Sequence, residues 1–413
     1  MTKVVGIDLG TTFSAIAELD DLGNPEVLSD PESGNRITRS TVYFGKDKVI
    51  IGDKAKDASI TSPKKVVFEV KREMENDVIY SLSSGEFQEN DGKIKGYTPS
   101  QISSLILSKL KDYTSGVKKA VITVPALFAE RARSATLEAA KLSKLDVELI
   151  NEPTAAVLHY SNLPGISLNG RVLIFDLGGG TFDITIAGVK GKKVDIITSV
   201  GDKELGGQDF DREILSLIDK KYKKSKGKGL DDKDPVILDI AERIKKLLST
   251  KEKVSEIIEG PKGPLKIDIS RKEFENSIDT FLEKIKMSME DALEKAKIKA
   301  SNISQILLVG GSTRIPIINE IIKKVMKKNP TKGVNVDEAV ACGAAIYAGL
   351  QNKGGLNSAQ KKAISKVEMK DVCNHNLGTI IAAIDPERNQ AMKVNSIIIP
   401  RDTKLPASIT KEY

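Results

Sequence analysis

The chain has 413 residues, 40% of them hydrophobic and 29% charged, and its 64 Lys and Arg against 57 Asp and Glu give a formal net charge of +7. This composition is globular and excludes collagen-like, largely disordered and disulfide-scaffold proteins, while the length predicts more than one hydrophobic core. Two cysteines and two histidines are too few for a disulfide framework or a His-based metal site. No apolar run approaches the roughly 20 residues of a membrane span, and no apolar leader opens the sequence, so we expect a cytoplasmic protein without a membrane partner.

The elements predicted in chain order alternate between strands and helices. Four apolar runs without strict alternation predict strands that are buried on both faces. They run from Lys3 to Asp8, Lys119 to Pro125, Arg171 to Asp176 and Gln305 to Gly311. Between them, a capping box at Thr98 to Gln101 starts one helix, Asn151 precedes a second, and Val236 to Ser249 has the apolar spacing of a third. The pattern predicts an α/β fold, whose ligands bind beyond the carboxyl ends of the strands.

An internal repeat links two of the predicted strands. The first strand ends in Asp8-Leu9-Gly10, and the third ends in Asp176-Leu177-Gly178. Each copy presents an acid and a glycine turn at a strand end. We therefore expect a duplicated lobe whose two turns face each other across one cleft.

The chemistry of these turns favours phosphate binding. Glycines let backbone N–H groups approach phosphate oxygens, and Thr11, Thr12 and Thr181 add hydroxyl donors. Asp8 and Asp176 suit a hydrated Mg²⁺, and Asp183 follows the second turn, where it could orient a water. A single such turn would more often be a plain hairpin turn, but two matching copies favour a phosphate site.

Other patterns leave their role open at this point. Gly310-Gly311-Ser312-Thr313-Arg314 joins a strand to a helix, as a ligand loop or an ordinary tight turn would. Glu242, Lys245 and Ser249 share the polar face of the third helix, which is more often simply solvated. The lysine-rich stretch from Lys220 to Lys228 has no aromatic platform or zinc-knuckle pattern beside it, so we interpret it as a solvated helix end and expect no nucleic-acid partner.

Four ordered motifs resemble those of the seventy-kilodalton heat-shock chaperones over roughly residues 3–350. The motifs are Gly6-Ile7-Asp8-Leu9-Gly10-Thr11-Thr12, Asn151-Glu152-Pro153-Thr154-Ala155-Ala156, Phe175-Asp176-Leu177-Gly178-Gly179-Gly180-Thr181-Phe182-Asp183 and Gly310-Gly311-Ser312-Thr313-Arg314-Ile315-Pro316. The resemblance implies an actin-like ATPase fold with two duplicated ribonuclease-H-like lobes around a nucleotide cleft. It places the lobes at residues 1–165 and 166–352, a linker at 353–372, and an incomplete β fragment of a substrate-binding domain at 373–413. Those last residues are fewer than the about 100 of an antiparallel sandwich, so we expect that domain to be truncated.

The resemblance also implies a role for each matching residue. Asp8 and Asp176 would hold Mg²⁺ through water, Lys71 would reach the γ-phosphate, and Thr181 would assist there. Glu152 and Asp183 would orient the attacking water and a monovalent cation such as K⁺. ATP or ADP would be contacted by Gly10, Thr11, Thr12, Gly178, Gly179, Gly180, Gly201, Gly206, Gly207, Glu242, Lys245, Ser249, Gly310, Gly311, Ser312, Arg314 and Asp337.

Some positions depart from the family pattern. Glu148 stands three residues before the Asn-Glu-Pro turn, where the family usually has a basic residue that couples to J-domain co-chaperones. Gln208 replaces an acid, Lys246 replaces an adenine-stacking arginine, and residues 367–372 carry charges in place of a leucine-rich linker. We therefore expect a nucleotide-exchange factor and a J-domain protein as partner classes, with weakened J-domain coupling. Unfolded clients would require a complete substrate-binding domain.

The predicted function is that of a slow ATP-hydrolysing chaperone domain. One alternative is a nucleotide-gated regulator or adaptor without client binding, which Glu148 and the altered linker favour. Another is a small-metabolite kinase of the same superfold, although no insertion supplies a second substrate pocket. Filament formation by an actin-like protein is a third alternative, and the chaperone-type motifs argue against it.

Overall fold

The computed structural model describes residues 3–46, 48–83, 86–90, 96–331, 335–384 and 390–412, and it has two α/β lobes on either side of a deep cleft. The first lobe consists of β1 (Lys3–Asp8), β2 (Phe13–Leu19), β3 (Pro25–Val27), β4 (Thr38–Arg39), β5 (Val42–Phe44), β6 (Val49–Ile51), α1 (Asp53–Ala58), β7 (Val66–Val67), β8 (Ile79–Ser83), β9 (Glu86–Asn90), α2 (Pro99–Lys111), β10 (Val117–Val124), α3 (Glu130–Leu142), β11 (Asp146–Asn151) and α4 (Glu152–Asn162). Short 3-10 turns cover Pro63–Lys65 and Val70–Glu73.

The second lobe follows directly. It consists of β12 (Asn169–Leu177), β13 (Phe182–Lys190), β14 (Lys193–Asp202), α5 (Gly207–Lys226), α6 (Pro235–Leu248), β15 (Lys253–Ile258), β16 (Leu265–Ser270), α7 (Arg271–Ser277), α8 (Asp279–Lys295), β17 (Ile303–Val309), α9 (Pro316–Met326) and α10 (Ala339–Gln351). After it come α11 (Ser358–Ile364), β18 (Glu368–Lys370), β19 (Leu377–Ile384) and β20 (Ala391–Ile399), with 3-10 turns at Ala300–Asn302, Gly311–Arg314 and Lys353–Gly355.

The two central sheets share a core of four strands in the same arrangement, β10-β1-β2-β3 and β17-β12-β13-β14. The first has the order β11-β10-β1-β2-β3, with β4 also on β2, and the second has the order β17-β12-β13-β14-β18. In each, the strand that carries an Asp-Leu-Gly triplet lies antiparallel to the next strand and parallel to a later one: β1 to β2 and β10, β12 to β13 and β17. The duplicated α/β architecture predicted from the repeat is confirmed.

The helices begin where local side chains stabilise their first turn. At α2, Thr98 accepts a hydrogen bond from the Gln101 N–H and the Gln101 side chain accepts one from Thr98, so the predicted capping box is present. Ile102, Ile106 and Leu110 of this helix are fully buried against the first sheet. The helix therefore stabilises the sheet that holds β1 and its terminal Asp8.

Two alanine-rich helices, α4 and α10, cross between the sheets in direct backbone contact. A Cβ on Gly343 of α10 would lie 1.7 Å from the carbonyl oxygen of Ala155 in α4, so only glycine fits there. Helix α10 packs on β1, β2 and β10 of the first lobe, whereas α4 contacts strands of both lobes. The helix pair thus joins the two lobes at the floor of the cleft.

Residues 353–372, predicted to be a linker, contain secondary structure. Helix α11 is followed by β18, which pairs in parallel with Lys193, Val194 and Asp195 of β14 and so extends the second sheet. Asp371 is held against the first turn of α4, because its Oδ2 accepts hydrogen bonds from Asn151 (3.0 Å) and Thr154 (3.1 Å).

Beyond the linker, β19 and β20 form an antiparallel hairpin, and Cys373 pairs with the backbone of Thr403. None of the helices in the described ranges has the length and apolar character needed to cross a membrane.

Candidate functional site

The two glycine turns face each other across the cleft. The turn at Gly10 to Thr12 joins β1 to β2, and the turn at Gly178 to Thr181 joins β12 to β13. They lie so close that a Cβ on Gly179 would come within 1.9 Å of Thr12 Oγ1. A Cβ on Gly180 would come within 2.6 Å of Thr11 Cγ2. Glycine is therefore required for the two turns to meet, and both turns line the same space between the lobes.

These turns line a cavity of about 1370 Å³ between the lobes. All but three of the site residues predicted from sequence line it: Asp8, Gly10, Thr11, Thr12, Lys71, Glu152, Asp176, Gly178, Gly179, Gly180, Thr181, Gly207, Glu242, Lys245, Ser249, Gly310, Gly311, Ser312, Arg314 and Asp337. Asp183, Gly201 and Gly206 stand behind this wall. Gly201 pairs with Asp183 in the β13–β14 ladder, and Gly206 packs against the backbone of Gly179.

A buried ion pair marks the inner end of the cavity. Lys71, in the 3-10 turn Val70–Glu73, places its Nζ 2.5 Å from Oε1 of Glu152, the first residue of α4. Both side chains are buried, and Asp8 accepts a hydrogen bond from Thr123 Oγ1 at 3.0 Å nearby. Asp183 is 3% exposed, and its Oδ1 has no hydrogen-bond partner among the described residues. These groups converge although no local motif links Lys71 to Glu152.

Three carboxyl groups around this ion pair are shifted toward the protonated form. Burial, followed by the charge of Glu152, raises the pKa of Asp8 and of Asp183 to about 7, although Lys71 opposes the shift. Burial also raises the pKa of Asp176, helped by Glu152 and Asp183. A cation bound among these carboxyl groups would favour their charged forms and so oppose these shifts.

The carboxyl groups in the cleft are better suited to a cation that keeps its water ligands than to one bound directly by several side chains. Within the described residues, no three Asp, Glu, His or Cys side chains are arranged to chelate a metal ion directly. Mg²⁺ commonly keeps several of its waters and is held by one or two carboxylates together with phosphate oxygens. Asp8 and Asp176, each at the end of a phosphate turn, are suitably placed for such indirect contact.

A comparison with known families supports the arrangement. A model of the Hsp70 family, described as Hsp70 protein, matches residues 4–405 of this chain. The chain belongs to the Hsp70 family. Hsp70 proteins are ATP-binding chaperones with an actin-like ATPase fold, and they hydrolyse ATP. The predicted fold, ATP binding and ATPase activity are confirmed, and nothing in the match favours an adaptor or a small-metabolite kinase.

Helix α6 forms the outer wall of this Hsp70 cleft, and its polar face is not simply solvated. Lys245 is 9% exposed, and its Nζ donates to the Gly207 carbonyl at 2.7 Å and to the Asp211 carboxylate at 2.8 Å. Glu242 contacts three cations, Arg39 and Lys56 of the first lobe and Lys246 of its own helix. Burial acts to raise the pKa of Glu242, but these cations outweigh it and hold the pKa far below its ordinary value.

The loop at Gly310 closes the cleft on the remaining side. Gly310 has φ 82°, and a Cβ there would lie 2.3 Å from the Leu177 carbonyl oxygen. Ser312 Oγ donates to the Gly178 carbonyl at 2.9 Å, and Arg314 forms a two-point ion pair with Asp337 at 3.0 and 2.8 Å. The sequence alone was compatible with either a ligand loop or an ordinary tight turn here. In the structure, the loop is hydrogen-bonded to the glycine turn at Gly178 to Thr181.

Sequence reasoning missed the ion pairs that cross the cleft. Among the described residues they join Arg36 to Glu338, Arg39 to Glu242, Lys56 to Asp239 and Glu242, Arg72 to Asp209, Arg212 to Glu69, and Lys203 to Glu75. Their partners lie far apart in the chain, so no spacing signal could have identified them. Gln208 also reaches across, its Nε2 lying 3.4 Å from Thr12 Oγ1.

Proposed function

We propose that this chain hydrolyses ATP at the inner end of the cleft, with Lys71, Glu152, Asp183 and Thr181 as its catalytic residues. The observation that supports the proposal is the buried cluster of carboxyl groups around the Lys71–Glu152 ion pair, directly beside two glycine turns. Phosphoryl transfer to water depends on neutralising charge and positioning the nucleophile, and less on covalent help from the protein. The cluster offers both functions.

We expect the Lys71–Glu152 ion pair to change its contacts when ATP binds. Lys71 contacts Glu152 in the structure, and the arrival of a γ-phosphate would give the ammonium group a second anion. Glu152 then shares its cation and becomes a better acceptor for a proton of the attacking water. Asp183, with one buried oxygen lacking a partner in the described residues, is the second group that can orient this water or a K⁺ ion. Asp8 and Asp176 would hold a hydrated Mg²⁺, which would neutralise negative charge on the phosphates.

Asp176→Asn tests the proposal. The amide keeps the shape of the side chain but removes the charge that would bind hydrated Mg²⁺, so ADP formation in a single turnover should be abolished. Asp146→Asn is the matched control, because Asp146 is a surface residue whose side chain is 76% exposed. Unchanged single-turnover hydrolysis in Asp176→Asn would refute the assignment of the metal site.

We further propose that coupling to a J-domain protein is weak in this chain. Hsp70 proteins generally work with J-domain co-chaperones, nucleotide-exchange factors and unfolded clients. Glu148 lies exposed on β11, and in addition to burial, both it and the half-buried Asp371 raise the pKa of Tyr347 through their charge. Glu148 thus adds negative charge where an acidic partner would approach. Glu148→Arg should increase the stimulation of ATP turnover by an added J-domain, whereas Glu138→Arg, on the exposed face of α3, should not. Equal stimulation of both variants would contradict the proposal.

We also propose a cytoplasmic location and a preference for K⁺ over Na⁺. Cys342 and Cys373 are both free and buried in the described structure, which supports a reducing, cytoplasmic location. Asp183 and Glu152 form an anionic site suited to K⁺, so turnover should be faster in potassium than in sodium buffer. Peptide-client binding is a separate question, since only one hairpin, β19–β20, follows the linker in the described residues.

A further inference from the structure

A second cavity lies behind the phosphate end of the cleft, also between the lobes. Its volume is about 540 Å³, and it is lined by residues on both sides of the lobe boundary. It shares five lining residues with the nucleotide cleft: Phe68, Glu69, Lys71, Thr181 and Arg212. Lys71 and Thr181 are two of the residues proposed to act on the terminal phosphate. The two cavities are therefore separated by a single layer of side chains at the place where phosphate is produced.

Access from the nucleotide side is limited while ADP is bound. The inner end of the cleft is deeply buried, with Lys71 5% and Glu152 7% exposed, whereas the side chains of Lys246 and Arg314 on its outer wall are 55% and 54% exposed. A nucleotide whose terminal phosphate reaches Lys71 places the rest of the molecule between that phosphate and the outer opening. After hydrolysis, ADP blocks the way out for the phosphate on this side.

Cross-lobe ion pairs line the second cavity from its inner end to its mouth. At the inner end, Arg72 Nη2 lies 2.7 Å from Asp209 and donates to the Gly180 carbonyl at 2.9 Å, so this pair is tied to the second phosphate turn. At the mouth, Lys203 of the second lobe lies 2.5 Å from Glu75 of the first, and its side chain is 49% exposed. Arg212 and Glu69 form a looser pair at 3.8 Å. The three pairs therefore place the cations of Arg72, Arg212 and Lys203 along the cavity, where a departing anion would meet them.

We propose that inorganic phosphate leaves and re-enters through this second cavity while ADP still occupies the cleft, with the Glu75–Lys203 pair closing its mouth. The route adds no chemical step: ATP and water have already become ADP and phosphate, and only the phosphate moves. It also explains why polar, cross-lobe side chains line a cavity that the nucleotide itself does not need.

A plug at the mouth tests the proposal. Glu204 is exposed and lines the second cavity but not the nucleotide cleft, so Glu204→Trp narrows the mouth, while Glu204→Ala removes the same charge without adding bulk. The measurement is the rate at which radioactive inorganic phosphate associates with and dissociates from the ADP-bound protein, after rapid mixing and after dilution. We expect the plug to slow both rates by the same factor, about tenfold for roughly 1.4 kcal/mol of added barrier, with the phosphate Kd unchanged.

A variant that widens the mouth and a control variant that changes only the charge complete the test. Lys203→Ala opens the mouth and should accelerate both rates, so it tests the route even if Glu204→Trp fails to fold. Glu204→Ala should match the unmodified chain. The proposal is overturned if the plug leaves both rates unchanged, if it changes Kd through one rate alone, or if phosphate leaves only after fluorescent ADP has dissociated. Acid-quenched ADP formation, measured separately, shows whether hydrolysis itself is intact.

Discussion

Lys56 forms ion pairs that join the two lobes across the nucleotide cleft. It lies on α1 of the first lobe, and its ammonium group contacts Asp239 and Glu242 on α6 of the second, the latter at 3.0 Å. Opening the cleft must separate these groups. We predict that Lys56→Met, which keeps the aliphatic stem but removes the charge, accelerates ADP release.

The structure sets the size of the effect. Glu242 is 15% exposed at its side chain and Asp239 is 45% exposed, so the first contact resembles a partly buried charge-assisted hydrogen bond and the second an exposed ion pair. Such bonds contribute about 1.5–3 kcal/mol and 0–1 kcal/mol respectively. Arg39 and Lys246 remain on Glu242 in the variant, so no buried charge is left unpaired and the lower end applies. A loss of about 1.5–2 kcal/mol corresponds to roughly 10- to 30-fold faster dissociation.

Stopped-flow displacement of a fluorescent ADP measures this rate. The chain provides a matched control two residues away: Lys54 pairs with Glu32 inside the first lobe, and their side chains are 74% and 66% exposed. Lys54→Met should therefore leave the rate unchanged. Equal ADP release from Lys56→Met and Lys54→Met would show that the contacts on α6 do not resist opening.

Two further predictions concern the floor of the cleft and the carboxyl cluster. Gly343→Ala forces a Cβ to within 1.7 Å of the Ala155 carbonyl, so it should lower the thermal midpoint or prevent folding, whereas Gly354→Ala meets only open space and should not. Asp183 has its pKa raised from 3.8 to about 7, so the unfolded chain ionises first. The part of the stability of the nucleotide-free protein that depends on Asp183 therefore falls as pH rises from about 4 to about 7. Asp183→Asn should reduce that fall in thermal melts without Mg²⁺ or nucleotide, and an identical pH slope would contradict the assignment.

The sequence predicted what depends on local chemistry. Buried parallel strands have continuous apolar runs, capping boxes mark helix starts, and a turn such as Gly178 to Thr181 must be glycine-rich where backbones meet. These signals predicted the α/β fold and the two glycine turns that line the cleft. The roles of Lys71 and Glu152 came from the family resemblance, since the ion pair between them depends on the docking of a 3-10 turn against a helix 81 positions away.

The structure of residues 353–372 could not be predicted from their sequence, for a different reason. Residues 353–372 are polar, and the edge strand β18 has three residues of which only Met369 is half-buried, so no apolar pattern could reveal it. Its position depends on backbone pairing with β14, on the hydrogen bonds that Asp371 accepts from Asn151 and Thr154, and on the burial of Ile364, Val367 and Val372 in the core beside α4. Tertiary contacts of this kind override a composition that is typical of a connector.

The first turn of α4 is where these features meet. Glu152 faces the phosphate end of the cleft, and Thr154, two residues later, donates a hydrogen bond to Asp371 of the linker. The same helix crosses α10 at Gly343, where the backbones touch and neither helix can shift without the other. A change in the charge opposite Glu152, such as the arrival of a phosphate at Lys71, therefore acts on a rigid element that also holds the linker. We therefore expect nucleotide binding at Lys71 and the position of the segment around Asp371 to be coupled through the first turn of α4.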